Sequence, residues 1–137
     1  MTVEGGQLAG PSLPLILARE LAANLATPMF LIDREGSLVF FNEAAEILIG
    51  KTYAEVGAIT ANEFGAMLDL GHPDGTPMRR RDSPAGVAFF QHEPAHRTLL
   101  ATTLGGTREL FECTAYPLFG RVGEMHGVLT VFWQAKP

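Results

Sequence analysis

The ten residues Met125 to Gln134, MHGVLTVFWQ, restrict the fold more than any other stretch. They are rich in β-branched and aromatic side chains, and dealt alternately to two faces they leave neither face polar. Met125, Gly127, Leu129, Val131 and Trp133 fall on one side; His126, Val128, Thr130, Phe132 and Gln134 fall on the other. A strand with one wet side alternates cleanly between apolar and polar residues. This strand is therefore expected in the middle of its sheet, covered on both faces, and the rest of the chain must supply the two covers.

One cover lies near the start. Ser12 is placed to cap a helix, Pro14 sits in the first turn where its missing N–H does no harm, and Pro28 stops the helix near Ala26. Leu13, Ile16, Leu17, Leu21 and Leu25 form one apolar stripe, with Leu15, Ala18 and Ala22 as an adjoining face of smaller residues. The chain is thus read as a disordered tail over 1–11, an amphipathic helix over 12–27 and one domain over 28–137. The helix is expected to lie over its own sheet or over a partner's.

The second cover comes from the middle. Met29 to Asp33 and Ser37 to Phe41 read as short strands joined by a turn at Asp33-Arg34-Glu35-Gly36. Asn42 caps a helix over Glu43 to Ile49 that Gly50 ends. Thr52 with Glu55, and Thr60 with Glu63, have the spacing of two capping boxes, which predicts a succession of short helices. Asp69 to Arg81, with Gly71, Pro73, Gly75 and Pro77, reads as an exposed loop. Ser83-Pro84 opens another helix that Pro94 closes, and strands follow over His96 to Leu104, Thr107 to Pro117 and Met125 to Gln134. Gly105-Gly106 and the segment Leu118 to Glu124 supply the hairpin links.

At 137 residues the chain suits a single α+β domain. Its net charge of -5 and one basic cluster, Arg79 to Arg81, argue against broad nucleic-acid binding, which needs a basic stripe. Cys113 is the sole cysteine, so an internal disulfide is excluded and a reducing compartment is natural. No apolar run is long enough to cross a bilayer, and a cytoplasmic protein is expected. With no telling nucleophile and base, metal-ligand spacing or phosphate loop, an enzyme is not expected.

Three segments in order carry a family resemblance: MFLIDREGSLVFFNEAAEILIG, then DGTPMRRRDSPAGVAFFQHEP, then GGTRELFECTAYPLFGRVGEMHGVLTVFWQ. Together they resemble the PAS domain family over about Leu25 to Gln134. The resemblance implies a five-stranded antiparallel sheet with short helices on one face and the N-terminal helix on the other. It also implies a pocket between sheet and helices, because short helices do not tile a twisted sheet completely. In the register the resemblance implies, the strands present Leu99, Ala101, Phe111, Cys113, Ala115, Val128, Thr130 and Phe132 to that pocket. Phe64, Met67, Val87 and Phe90 face them from the helices. Such a lining suits a fatty acyl chain, a flat aromatic molecule, or no ligand at all if these side chains merely fill the core.

Flavin and haem fit less well. His92 and His96 flank Pro94 at the end of a short helix, a poor match to a haem-ligating position, and the Asn-Cys-Arg-Phe-Leu-Gln helix of the family's flavin-binding light sensors is absent. Cys113 reads as a small apolar filler, and Arg79 to Arg81 as a wetted loop or a rim site for a ligand phosphate or carboxylate.

The last strand also lacks the Asp-x-Thr ending of family members wired to a following effector. If the chain is complete, its signal is expected to leave through an interface of Leu13, Ile16, Leu17, Leu21, Leu25, Leu129, Val131 and Trp133, making a homodimer or meeting a downstream signalling protein. The competing reading is a ligand-free dimerisation module with a filled core, or one domain of a longer sensor kinase or regulator.

Overall fold

Residues 12–135 are described by the computed structural model, so the expected tail lies outside them. Five strands, β1 (Met29–Asp33), β2 (Leu38–Phe41), β3 (Ala95–Thr102), β4 (Arg108–Phe119) and β5 (Met125–Gln134), form one antiparallel sheet in the order β2-β1-β5-β4-β3. The strand with two apolar faces is the central one. Leu129 of β5 pairs with Leu31 on one side and Tyr116 on the other, and Val128 and Thr130 are fully buried.

Among the described residues, five α-helices accompany the sheet: α1 (Leu13–Ala23), α2 (Glu43–Ile49), α3 (Tyr53–Val56), α4 (Ala61–Leu68) and α5 (Pro84–Gln91). Both capping boxes form, Thr52 with Glu55 at α3 and Thr60 with Glu63 at α4, and they explain why this region breaks into short pieces. Gly50 ends α2 at φ 96°, a left-handed conformation that costs glycine little. A 3-10 turn over Arg80–Asp82 leads into α5, whose cap Ser83 accepts from the N–H of Gly86 and donates to the Arg80 carbonyl.

The segment 69–81 is not a free loop. Gly71 exchanges backbone hydrogen bonds with Leu100 at the open edge of β3, and Met78 is buried in the core. Arg108 donates to the Asp69 carbonyl and the Thr102 hydroxyl, holding the segment down. An unpaired sheet edge is thereby partly covered.

The N-terminal helix lies over the other face of the sheet, but by its small-residue side. Ala18 and Ala22 are buried, whereas Leu13, Leu17 and Leu21 are 64%, 59% and 51% exposed. Small residues let helix and sheet approach closely. At Gly127 the space a Cβ would occupy is already taken by the Ile32 carbonyl and the Leu15 side chain. The helix also ends at Ala23, short of the expected Ala26, because Asn24 caps it through bonds to the Leu21 and Ala22 carbonyls.

Coverage of the outer face by α1 is consequently incomplete. Eleven helical residues span about 16 Å, while the ten residues of β5 extend about 33 Å. Leu129 and Val131 are half-buried, but Trp133 is 42% exposed and leans on the ring of His96. Within one chain α1 is too short to cover the whole of β5, which leaves Trp133 exposed.

Asn42 ties the layers together. Its side-chain oxygen accepts from the N–H groups of Met29 and Ala45, and its amide donates to the carbonyls of Ala22 and Thr27. One buried side chain therefore caps α2, closes the end of α1 and anchors the start of β1.

Candidate functional site: a cavity between sheet and helices

The inner face of the sheet is covered in two ways, and the difference creates the site. Under α5 the fit is tight: Ala88 and Ala115 are fully buried and, with Ile32 and Val128, make a filled cluster. Beside α5, the short α2 and α4 leave a hollow of about 380 Å³ against β1, β3 and β4, within the size range of small-molecule sites.

The hollow is walled mainly by rings and aliphatic chains. Phe30 stands edge-on to Phe64 at 5.5 Å between centroids and 5.8 Å from Phe132, which in turn lies 6.3 Å from Phe111. Leu48 and Ile49 from α2, Leu68 from α4, and Leu70, Leu99 and Ala101 complete the interior. Polar groups gather around the turn between β1 and β2 (Glu35, Gly36), the start of α4 (Thr60, Asn62) and the Arg80 to Ser83 segment, with Thr102 and Thr103 at the end of β3. Phe90 also belongs to the wall; it is 46% exposed, stands edge-on to Phe89 and carries the Arg81 guanidinium at 5.2 Å over its ring.

Of the twelve residues expected at the pocket, the hollow gathers Phe64, Phe90, Leu99, Ala101, Phe111, Cys113 and Phe132. Ala115 and Val128 lie instead in the filled cluster under α5. Thr130, between Phe30 and Ala115 in the register, is fully buried with its hydroxyl unpartnered. Met67 is 43% exposed and Val87 half-buried, and neither is in the wall. Of the four helix-borne expectations, Phe64 and Phe90 line the hollow and Met67 and Val87 do not, because helices this short leave their rotation poorly fixed by periodicity.

Phe30 and Ile32 are additional wall residues, and period-two alternation along MFLID puts them on one face, so the signal was present. Leu70 had no such signal, since it depends on the edge pairing of Gly71.

Cys113 is buried in the wall, and burial alone pushes its thiol up from 9.0 to about 12. A neutral, desolvated thiol is a poor nucleophile, so its position suits packing against an apolar ligand rather than covalent chemistry. His92 and His96 are both exposed; His96 bonds to Glu112 and Thr114 on the sheet's other face, and His92 meets Phe119. Neither lines the hollow. Among the described residues there is no group of three or more metal-ligating side chains, and no helix long and apolar enough to cross a membrane.

A sheet of order β2-β1-β5-β4-β3 with short helices and a hollow on one face defines a class: the chain has the PAS fold. The PAS domain from Colwellia psychrerythraea matches it with a TM-score of 0.63 at 17% identity, over 88% of this chain and 96% of that one. The PAS domain of the fruit-fly ELK potassium channel matches with a TM-score of 0.70 at 11% identity, over 90% and 98%. The light-state dimer of the fungal blue-light photoreceptor Vivid matches with a TM-score of 0.64 at 14% identity, over 93% and 99%. No family model and no curated protein matches the sequence. At these identities the likeness is one of fold.

Proposed function

We propose that the chain is a cytoplasmic, non-catalytic sensory module that takes a small, mainly apolar molecule into the hollow and reports occupancy through contacts with a second copy or a signalling partner. The observation that carries this reading is the hollow itself. Close packing is the rule in protein interiors, and an apolar void forfeits contacts along its whole lining. A hollow of about 380 Å³ walled by Phe30, Phe64, Phe111 and Phe132 presents apolar surface that a ligand would take out of water.

The solved PAS and photoreceptor structures of the same fold support the sensory reading. The exposed stripe Leu13, Ile16, Leu17, Leu21 and Leu25 supports an output surface on α1. A ligand shifts such an interface only by its differential affinity for two arrangements.

The test is organic extraction of the purified chain followed by mass spectrometry, beside native mass spectrometry of the intact protein. One apolar species should accompany the wild type and disappear from Ala101→Phe, whose ring fills the hollow. An empty extract, with no uptake of added apolar molecules, would instead identify a ligand-free interaction module.

A further inference from the structure

We propose that the occupant is an amphipathic monoanion: an apolar body held by the phenylalanine-lined interior, with a single carboxylate head at Arg80. This rests on the reading of the hollow as a ligand site and adds the charge and placement of the head.

The argument comes from the charged groups at the polar end. Four arginines stand on the two segments that frame it, Arg34 on the β1–β2 turn and Arg79, Arg80 and Arg81 before α5. Three are already engaged. Arg34 pairs with Glu35 at 3.5 Å, Arg79 binds Asp82 at 3.0 Å, and Arg81 lies over Phe90. Arg80 alone of the four is in the wall; it is exposed, and among the described residues its side chain makes no ion pair or hydrogen bond.

Its placement is held by packing. At Gly86 the room for a Cβ is occupied by the Arg80 carbonyl, so α5 and the 3-10 turn touch backbone to backbone, and the Ser83 hydroxyl donates to that same carbonyl at 2.8 Å. In an acidic chain of net charge -5, Arg80 is thus the one cationic residue of the wall, on a backbone that α5 holds in place. A guanidinium fork matches a carboxylate with two parallel hydrogen bonds. The number of charges follows from the neighbours: with one free cation and Glu35 also in the wall, a dianionic head would leave a charge unpaired next to a carboxylate.

The experiment measures dissociation constants of the full chain for decanoate, 1-decanol and decyltrimethylammonium by titration calorimetry. Decanoate should bind at least about tenfold more tightly than decanol, a difference of about 1.4 kcal/mol, and the cation most weakly. Arg80→Gln should bring decanoate to within about threefold of decanol, both measured on that variant. Equal binding of decanoate and decanol by the wild type, or a preference that survives Arg80→Gln, would overturn the proposal.

Cavity-filling variants separate this failure from failure of the ligand-site reading. Decanol binding that is lost in Ala101→Phe, or in Cys113→Leu should the first not fold, keeps the hollow as the site whatever the head-group result. Decanol binding that survives both variants, or no binding of any probe to the wild type, sinks both.

Discussion

Asn42 shows how much one side chain can hold. Replacing it by alanine removes a helix cap, worth about 0.5–2 kcal/mol, and strips buried partners of their bonds at about 1–3 kcal/mol each. Asn42→Ala should therefore lower stability by about 3 kcal/mol in urea denaturation, with faster amide exchange around Met29 and Ala45. A loss under about 1 kcal/mol would reduce Asn42 to an ordinary cap. The sequence showed the cap but not the bonds to Ala22 and Thr27, because those depend on where α1 ends. Cys113 carries a pH signature of the wall. The folded chain holds the thiol proton up to about pH 12 while the unfolded chain releases it near 9.0. Stability is therefore unaffected by this group below about pH 9 and falls above it, by about 1.4 kcal/mol per pH unit. Against Cys113→Ala, which lacks the thiol, the wild type should lose stability faster between pH 9 and 11 in chemical denaturation; parallel curves would mean that the thiol titrates as if exposed.

Elements differ in how far their sequence discloses them. The strands were legible because period-two alternation assigns each residue to a face: Phe111, Cys113 and Phe132 fell on the inner side as expected, and β5 took the centre. The short helices were legible in their ends, through Thr52, Thr60 and Ser83, but not in their rotation, so Met67 and Val87 were misplaced. For α1 the apolar stripe was visible, yet the face that meets the sheet is the one with Ala18 and Ala22, and the missing side chain of Gly127 makes room there for Leu15. The same principle decides the outcome of Gly86→Ala in α5. At an open helix position the change would stabilise by about 1 kcal/mol. Here the added methyl meets the Arg80 carbonyl, and overpacking of this kind costs about 1–3 kcal/mol. Gly86→Ala should lower the melting temperature, whereas Gly65→Ala in α4, where a Cβ meets nothing, should not. Equal melting temperatures would show that the turn yields freely, and Arg80 would then not be held in place by α5.

The proposed output of the whole molecule lies on the face away from the hollow. There α1 offers Leu13, Ile16, Leu17, Leu21 and Leu25, and the part of the sheet that the helix does not reach adds Trp133 and Tyr116, each more than a third exposed. Scattered apolar residues on a surface need no explanation, but a stripe along one helix continuous with an uncovered sheet face does. Two copies placing these surfaces together about a two-fold axis would bury the stripe of each against the open sheet of the other, a self-complementary contact. Asn42 then lies between the hollow and the proposed output surface, with its oxygen on the first turn of α2, which helps wall the hollow, and its amide on the end of α1. Leu17 and Leu21 are each more than half exposed, so charge can be placed there without unfolding the chain. Leu17→Asp combined with Leu21→Asp should leave the circular dichroism spectrum and the uptake of decanol intact while halving the mass seen by light scattering at micromolar concentration. A wild type already monomeric, or a variant whose mass does not change, would remove the second copy as the partner and leave a different protein as the receiver of the signal.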